Sequence, residues 1–393
     1  MTRTICVLGA TGSIGSQVID ILKKREDYEL VAVTCNENIK ALIEILNAFP
    51  SVKYAYTSKK YDANELSIKF PNIKFFYGKK GIISLIKVSN CNVYENSISG
   101  FAGVMPSIKI LKMNKILLLA NKETLVIAGE FVNALLDDGY GKLIPIDSEH
   151  VAISKCLYGR KIEDINKIVI TASGGRFFNY TDDELAKVTL KDATTNPNWN
   201  MGNKITIDSN LMSNKCFELI EAYYLFRVPF DKISAVVNRQ SIVHGYVEFN
   251  NETRVNVSKP SMSFAIEYAL NLGLPKDLLN GFEDVKKDVL NDFKFEELSS
   301  SRYPVLKYAK FVVEHDADAG CVLNACDEVA VAAFMAGKIK FVDILPIIDT
   351  VMAKYKFKKN VSLSGLTKAD LKARTLTRQI ISKMGVNLWN YYR

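Results

Sequence analysis

Short apolar runs closed by Gly, Asn or Ser alternate with amphipathic stretches along the first 147 positions. Thr4–Leu8 reads as a strand, Ser13–Lys24 as an amphipathic helix and Tyr28–Cys35 as a second strand. Further apolar strands follow at Tyr54–Thr57, Ile73–Tyr77, Val93–Asn96, Lys115–Ala120 and Lys142–Ile146, with helical patterns between several of them. Strand and helix in this rhythm predict a doubly wound, mainly parallel sheet. From Lys167 the pattern changes. Ile168–Ile170 and the alternating stretch Ala235–Phe249 read as strands, separated by a Pro/Asn/Gly-rich loop and a helix at about Ser213–Leu225, which suits an α+β unit. The polar passage around Lys276–Ser300 reads as a connector. After Pro304 the spacing is helical over Val305–Val313, Val322–Ala336, Phe341–Lys354 and Lys368–Met384, and a small helical bundle is expected.

Composition adds limits rather than a function. A chain of 393 residues suggests about two or three domains and is long enough to bury a substantial core. With 48% hydrophobic and 24% charged residues it reads as an ordinary soluble globular protein. No apolar run approaches the roughly 20 residues of a membrane helix, and the N-terminus enters a strand with no expected signal or transit segment. Basic residues exceed acidic ones, 51 to 43, for a net charge of +8. The lysines are dispersed in short pairs without interleaved aromatics, which argues against nucleic acid as a partner. A mild positive excess suits anionic small substrates. Seven cysteines at unpaired spacings imply a reduced, intracellular protein. There is no CxxC and there are only three histidines, so zinc is not expected.

Several segments carry candidate chemistry. Gly9-Ala10-Thr11-Gly12-Ser13-Ile14-Gly15 follows the first strand and opens the first helix, a variant of the dinucleotide fingerprint in which glycines let a pyrophosphate approach the backbone. A structural βα turn would use the same residues. The second strand ends in Cys35-Asn36-Glu37-Asn38, with an acid where NAD enzymes often hold ribose hydroxyls. Asn121-Lys122-Glu123 places a lysine just past another buried strand, within reach of an anionic oxygen, although a surface Lys–Glu pair would look the same. Asp147 and Glu149 stand two apart after Lys142–Ile146. Alternation along a strand would point both carboxylates to one side, where they would suit a hard cation; a turn capping the next helix is the other reading. Thr171-Ala172-Ser173-Gly174-Gly175 offers a hydroxyl and backbone N–H groups to a phosphate, or is a plain loop. Trp199 and Met201 lie in a polar loop that reads as a lid or as a piece packed on the core. If Ser213 caps a helix, Asn214 and Glu218 share one face with Lys215 beside them.

In this order the segments resemble the 1-deoxy-D-xylulose 5-phosphate reductoisomerase family. The resemblance runs through GATGSIG, LLANKETLV, IPIDSEH, TASGG, NPNWNMGNKITIDS, NKCFELIEA and QSIVH, then RYPVLKYA and VLNACDEVAVAAF, and so covers nearly the whole chain. It implies an α/β fold with an N-terminal Rossmann-like doubly wound domain over 1–147. A central α+β catalytic and substrate-binding domain would cover 148–275 with a lid loop at 194–204, followed by the connector 276–300 and a C-terminal helical domain over 301–393. It implies NADPH- and divalent-metal-dependent conversion of 1-deoxy-D-xylulose 5-phosphate to 2-C-methyl-D-erythritol 4-phosphate, by skeletal rearrangement and hydride reduction, in non-mevalonate isoprenoid precursor synthesis. By the same resemblance Asp147, Glu149 and Glu218 hold Mg²⁺ or Mn²⁺, and Lys122, Ser148 and Glu149 are catalytic. Ser148, Ser173, Asn196, Trp199, Ser209, Asn214, Lys215 and His244 contact substrate, with His150 also lining the pocket. Gly9, Thr11, Gly12, Ser13, Ile14, Asn36, Asn38, Asn121, Glu123, Met201 and Gly202 contact NADPH. The family is usually a homodimer, and a cytoplasmic location, or an organelle stroma after loss of a targeting segment, is expected.

The residue types agree with that chemistry. A cation acts as a Lewis acid on the substrate oxygens, Lys122 stabilises the charge developing there, and Glu149 helps relay a proton. Phosphate contacts remote from the reacting carbons position them. Four positions depart from the family pattern. Asn196 stands for a His at the start of the lid, Arg176 for a Pro, and Asn238-Arg239 for His-Pro. Glu37 replaces the basic residue after the second strand, which bears on the choice between NADPH and NADH. Two other readings fit some of the residues. One is a metal-free dehydrogenase of semialdehyde type with Cys216 as nucleophile; the other is a non-catalytic nucleotide-binding regulator.

Overall fold

The computed structural model describes residues 2–195, 202–274, 285–315 and 317–384. The chain divides into two units, the first built from Met1–Thr124, Phe131–Val151 and Met262–Leu278, the second from Leu125–Glu130, Ala152–Ser261 and Leu279–Arg393.

The first unit is organised by strands β1 (Arg3–Leu8), β2 (Tyr28–Thr34), β3 (Tyr54–Thr57), β4 (Lys74–Tyr77), β5 (Val93–Asn96), β6 (Ile116–Leu119) and β7 (Lys142–Pro145). They form one parallel sheet in the order β4-β3-β2-β1-β5-β6-β7. The central strands are buried, so they read as continuous apolar runs: Ile5, Val7, Val33, Ala55, Val93 and Leu118 share a core with Val18, Leu42 and Ile144. Strand order reverses between β1 and β5, and ligands of doubly wound sheets bind at such a point, beyond the carboxyl ends of the strands. A helix from much later in the chain, Ser263–Leu270, completes this core through Ile266, Ala269 and Leu270. Tyr28 donates a buried hydroxyl hydrogen bond to the Leu270 carbonyl at 2.6 Å.

The second unit holds a six-stranded sheet of β8 (Ile165–Ala172), β9 (Ile233–Val237), β10 (Val243–Phe249), β11 (Thr253–Val257), β12 (Val285–Lys287) and β13 (Glu296–Glu297), ordered β12-β11-β10-β8-β9-β13. Strand β8 pairs parallel with β9 and antiparallel with β10. Residues 276–300, expected as a connector, thus contain two edge strands. The helix Ser213–Phe226 is buried along most of its length. Helices Lys307–Glu314, Ala319–Met335, Ile344–Lys354 and Leu363–Lys383 make the C-terminal region, close to the helical spans expected from the spacing. The expected boundary at 147/148 falls inside the first unit, and helix Ser263–Leu270, expected with the central domain, belongs to the first unit. Among the described residues no helix is long and apolar enough to cross a membrane.

Candidate functional site

The first unit gathers most of the residues expected at the dinucleotide at the carboxyl ends of its strands; Gly202 belongs to the second unit and Met201 lies outside the described residues. Gly9 leaves β1 with φ +87°, a left-handed conformation that a side chain resists, and a Cβ there would meet the Ser97 carbonyl carbon and oxygen at 3.0 Å. The turn is tied to β2: Gly9 N–H donates to Thr34 Oγ1 at 2.8 Å, Ala10 N–H to the Thr34 carbonyl at 2.9 Å, and Thr11 Oγ1 to Cys35 Sγ at 3.3 Å. Gly12 is the N-cap of helix Ser13–Leu22 and brings no capping side chain. Gly9, Thr11, Gly12, Ser13 and Ile14 therefore lie on one strand–turn–helix junction, with helix-terminal N–H groups at its end. Beyond β2, Asn38 caps helix Ile39–Ala48 by accepting from Ala41 N–H at 3.2 Å, and the Asn36 carbonyl accepts from Ser58 Oγ at 2.7 Å.

Asn121 and Glu123 are buried and knit the turn after β5 to the turn after β6. Glu123 Oε1 accepts from Gly100 N–H at 2.9 Å and Oε2 from Asn121 Nδ2 at 2.8 Å. Asn121 Nδ2 also lies 2.6 Å from the Ile98 carbonyl, and Thr124 Oγ1 donates to Asn121 Oδ1 at 2.5 Å. Lys122, between them, places Nζ 3.0 Å from Asp147 Oδ2.

The carboxylate pair corrects one expectation. Strand β7 ends at Pro145 and helix Ser148–Leu157 starts three residues later, so Asp147 and Glu149 do not alternate along a strand. Asp147 instead caps the helix: its Oδ1 accepts from Glu149 N–H at 3.2 Å, and its carbonyl accepts from Val151 N–H at 2.9 Å. Glu149 stands in the first helical turn and accepts from Ser148 Oγ at 2.6 Å. The buried His150 brings Nδ1 to 3.7 Å from Asp147 Oδ1.

In the second unit the phosphate-type residues surround the ends of two helices. Ser173 follows β8 and its Oγ accepts from Gly175 N–H at 3.3 Å. Helix Asn203–Leu211 begins after Gly202, so the expected lid gives way to helix one residue before its limit of 204; Asn196, Trp199 and Met201 lie outside the described residues. Ser209 Oγ donates to the Ile205 carbonyl at 2.8 Å. Left-handed Met212 (φ +63°) breaks that helix from Ser213–Phe226. On the latter, as the spacing predicts, Asn214 and Glu218 hydrogen-bond to each other, Lys215 pairs with Glu218, and Lys215 Nζ also donates to the Thr171 carbonyl. Lys215 and Glu218 are both buried, and so is His244 on β10. One network escaped the sequence reading: Lys204 Nζ lies 2.6 Å from Asp208 Oδ2 and 2.8 Å from Asp327 Oδ2. Its i,i+4 half was legible; its far half comes from the Ala319–Met335 helix.

Cys216 is fully buried, and its burial and the nearby Asp327 carboxylate push the thiol pKa up, the opposite of an activated nucleophile.

Residues 5–129 match the family described as 1-deoxy-D-xylulose 5-phosphate reductoisomerase, and residues 143–226 and 257–376 match that enzyme's two C-terminal domains. The relative of that name from Bacillus thuringiensis subsp. konkukian is 36% identical over 98% of this chain and 100% of its own length. The chain belongs to the 1-deoxy-D-xylulose 5-phosphate reductoisomerase family. A family member from Clostridium kluyveri is 35% identical over 97% of this chain and 100% of its own. The solved family structure from Zymomonas mobilis in complex with NADPH has a TM-score of 0.85 at 30% identity, covering 97% of this chain and 99% of that one. Another, in complex with NADPH, fosmidomycin and magnesium, has a TM-score of 0.86 at 29% identity over 98% and 99%.

Two departures from the family pattern have visible local roles. Asn238 is fully buried; its Oδ1 accepts from the Ile242 and Val243 N–H groups at 3.2 and 3.3 Å, and its Nδ2 donates to the Lys294 carbonyl at 3.0 Å. It therefore pins the turn between β9 and β10. The Arg176 backbone N–H donates to Asn210 Oδ1 at 2.7 Å, a role Pro could not fill, and its guanidinium lies 3.5 Å from Asp192.

Proposed function

We propose that this protein converts 1-deoxy-D-xylulose 5-phosphate to 2-C-methyl-D-erythritol 4-phosphate, rearranging the carbon skeleton and reducing the product with NADPH in the presence of Mg²⁺ or Mn²⁺. Membership of the family along nearly the whole chain carries this reading. The residues suit the groups it requires. Asp147, Glu149 and Glu218, assigned to the metal, offer only oxygen donors, as a hard divalent cation prefers. The Gly9 turn, tight because Gly9 packs on the Ser97 backbone at a left-handed φ, leads into a helix whose first N–H groups have no capping side chain, as a pyrophosphate at a helix N-terminus requires.

The metal, when bound, polarises the substrate carbonyl and hydroxyl oxygens. Lys122, held at Asp147 by their 3.0 Å contact, faces charge that develops on those oxygens. Glu149 relays a proton, with Ser148 Oγ on its carboxylate to orient it and to meet the substrate. Ser173, Ser209, Asn214 and Lys215 hold the phosphate, with His244, Asn196 and Trp199 completing the substrate contacts. Gly9, Thr11, Gly12, Ser13, Ile14, Asn36, Asn38, Asn121, Glu123, Met201 and Gly202 hold the dinucleotide. We extend the reading to a three-part division of labour at 1–147, 148–275 and 301–393, to a homodimer, and to a cytoplasmic or stromal location, in keeping with seven free, buried cysteines.

The test is NADPH oxidation on addition of the substrate. Turnover requires added Mg²⁺ or Mn²⁺ and falls by at least on the order of a hundredfold in Glu218→Gln. Robust turnover in excess chelator contradicts the mechanism.

A further inference from the structure

The carboxyl ends of β2 and β3 form one polar rim beside the glycine turn. Thr34 and Tyr56 are register partners, Cys35 N–H donates to the Tyr56 carbonyl at 2.9 Å, and Ser58 N–H and Oγ reach the Asn36 carbonyl at 3.3 and 2.7 Å. Thr11 of the glycine turn is bonded to Cys35. In a doubly wound dinucleotide site the residues after β2 meet the adenosine ribose, where an acid favours a 2′-hydroxyl and a cation a 2′-phosphate. Here the residue at that position is Glu37, which by itself would repel a 2′-phosphate. It is not by itself. Lys59, just after β3, places Nζ 3.7 Å from Glu37 Oε1, and the two side chains are 64% and 68% exposed. So open and loose a pair is worth little and is readily exchanged for a stronger anion.

We propose that Lys59 is the residue that selects NADPH over NADH in this chain. The basic contact to the 2′-phosphate has moved from the end of β2 to the end of β3, with Glu37 holding Lys59 at the rim until the phosphate takes it. Ser58, fixed on the Asn36 carbonyl, keeps the two loop ends together. The inference rests on the proposed use of NADPH.

Binding of NADPH and of NADH, followed by fluorescence titration of the full chain, tests it. Lys59→Ala weakens NADPH binding by roughly tenfold or more, the loss of one charge-assisted contact, and leaves NADH binding within about twofold. 2′-AMP, as a competitor, loses affinity in the same variant and 5′-AMP does not. Adding Glu37→Lys to Lys59→Ala restores NADPH binding. Equal losses for both dinucleotides, no loss in Lys59→Ala, or the same selective loss in Lys40→Ala instead would overturn the assignment while NADPH use stands. A wild-type protein that binds neither dinucleotide would overturn both.

Discussion

The buried carboxyl of Glu95 makes the stability of the fold depend on pH. Glu95 lies on β5, the strand beside β1 at the point where strand order reverses, and is fully buried. Its Oε2 accepts from Ser97 Oγ at 3.3 Å, and Ser97 Oγ also lies 3.0 Å from the Leu8 carbonyl, under the glycine turn. Burial holds its carboxyl well above the usual carboxylate range, with only the Ser97 bond opposing. Folding therefore keeps a proton that the unfolded chain releases near pH ~4.3. Between that pH and the raised folded value the native state binds one more proton than the unfolded state, so stability falls as pH rises. The slope from this group is about 1.4 kcal/mol per pH unit within that interval. Glu95→Gln removes the titration while keeping shape. Its absolute stability carries an offset from the buried amide, but its pH slope over that window is shallower than the wild type's by one proton. Urea unfolding of both proteins at pH 5, 6 and 7 reads the difference directly. Parallel stability curves would refute the claim that Glu95 is buried as the neutral acid.

Two further outcomes follow from burial and backbone. Gly9→Ala forces a Cβ to 3.0 Å from the Ser97 backbone at φ +87°, which costs on the order of 1–3 kcal/mol, and opening the turn weakens NADPH binding; unchanged melting temperature and NADPH affinity together would contradict this. Iodoacetamide on the folded protein leaves turnover intact, because Cys216 is fully buried with a raised thiol pKa; inactivation with substrate protection would favour the semialdehyde-type reading.

What could be read from the chain was what packing imposes locally. The parallel strands β1, β2, β5 and β6 are buried on both faces, so their apolar runs stand out and their ends could be placed closely. The Asn214–Lys215–Glu218 cluster was legible because helical spacing alone brings those residues together. The edge strands β12 and β13 were not, since their Val-Lys-Lys and Glu-Glu sequences face solvent and carry no apolar signal. Ser263–Leu270 looks like any short apolar helix, and nothing local says that its partner is Tyr28. The Asp147 turn was misread as strand because Ile144 and Ile146 alternate and pairing with β6 runs on to Ile146, whose N–H donates to the Leu119 carbonyl at 2.9 Å; it stops where Asp147 caps the next helix. Lys204 meets Asp327 across 123 positions, beyond any spacing rule.

Skeletal rearrangement is the step that separates this family's reaction from a simple carbonyl reduction, and the identity of the product tests it most directly. The protein is incubated with 1-deoxy-D-xylulose 5-phosphate, NADPH and Mg²⁺, and the product's carbon connectivity is read by NMR. The expected product is the branched 2-C-methyl-D-erythritol 4-phosphate, formed in step with NADPH oxidation. A straight-chain polyol phosphate formed as NADPH is consumed would contradict it.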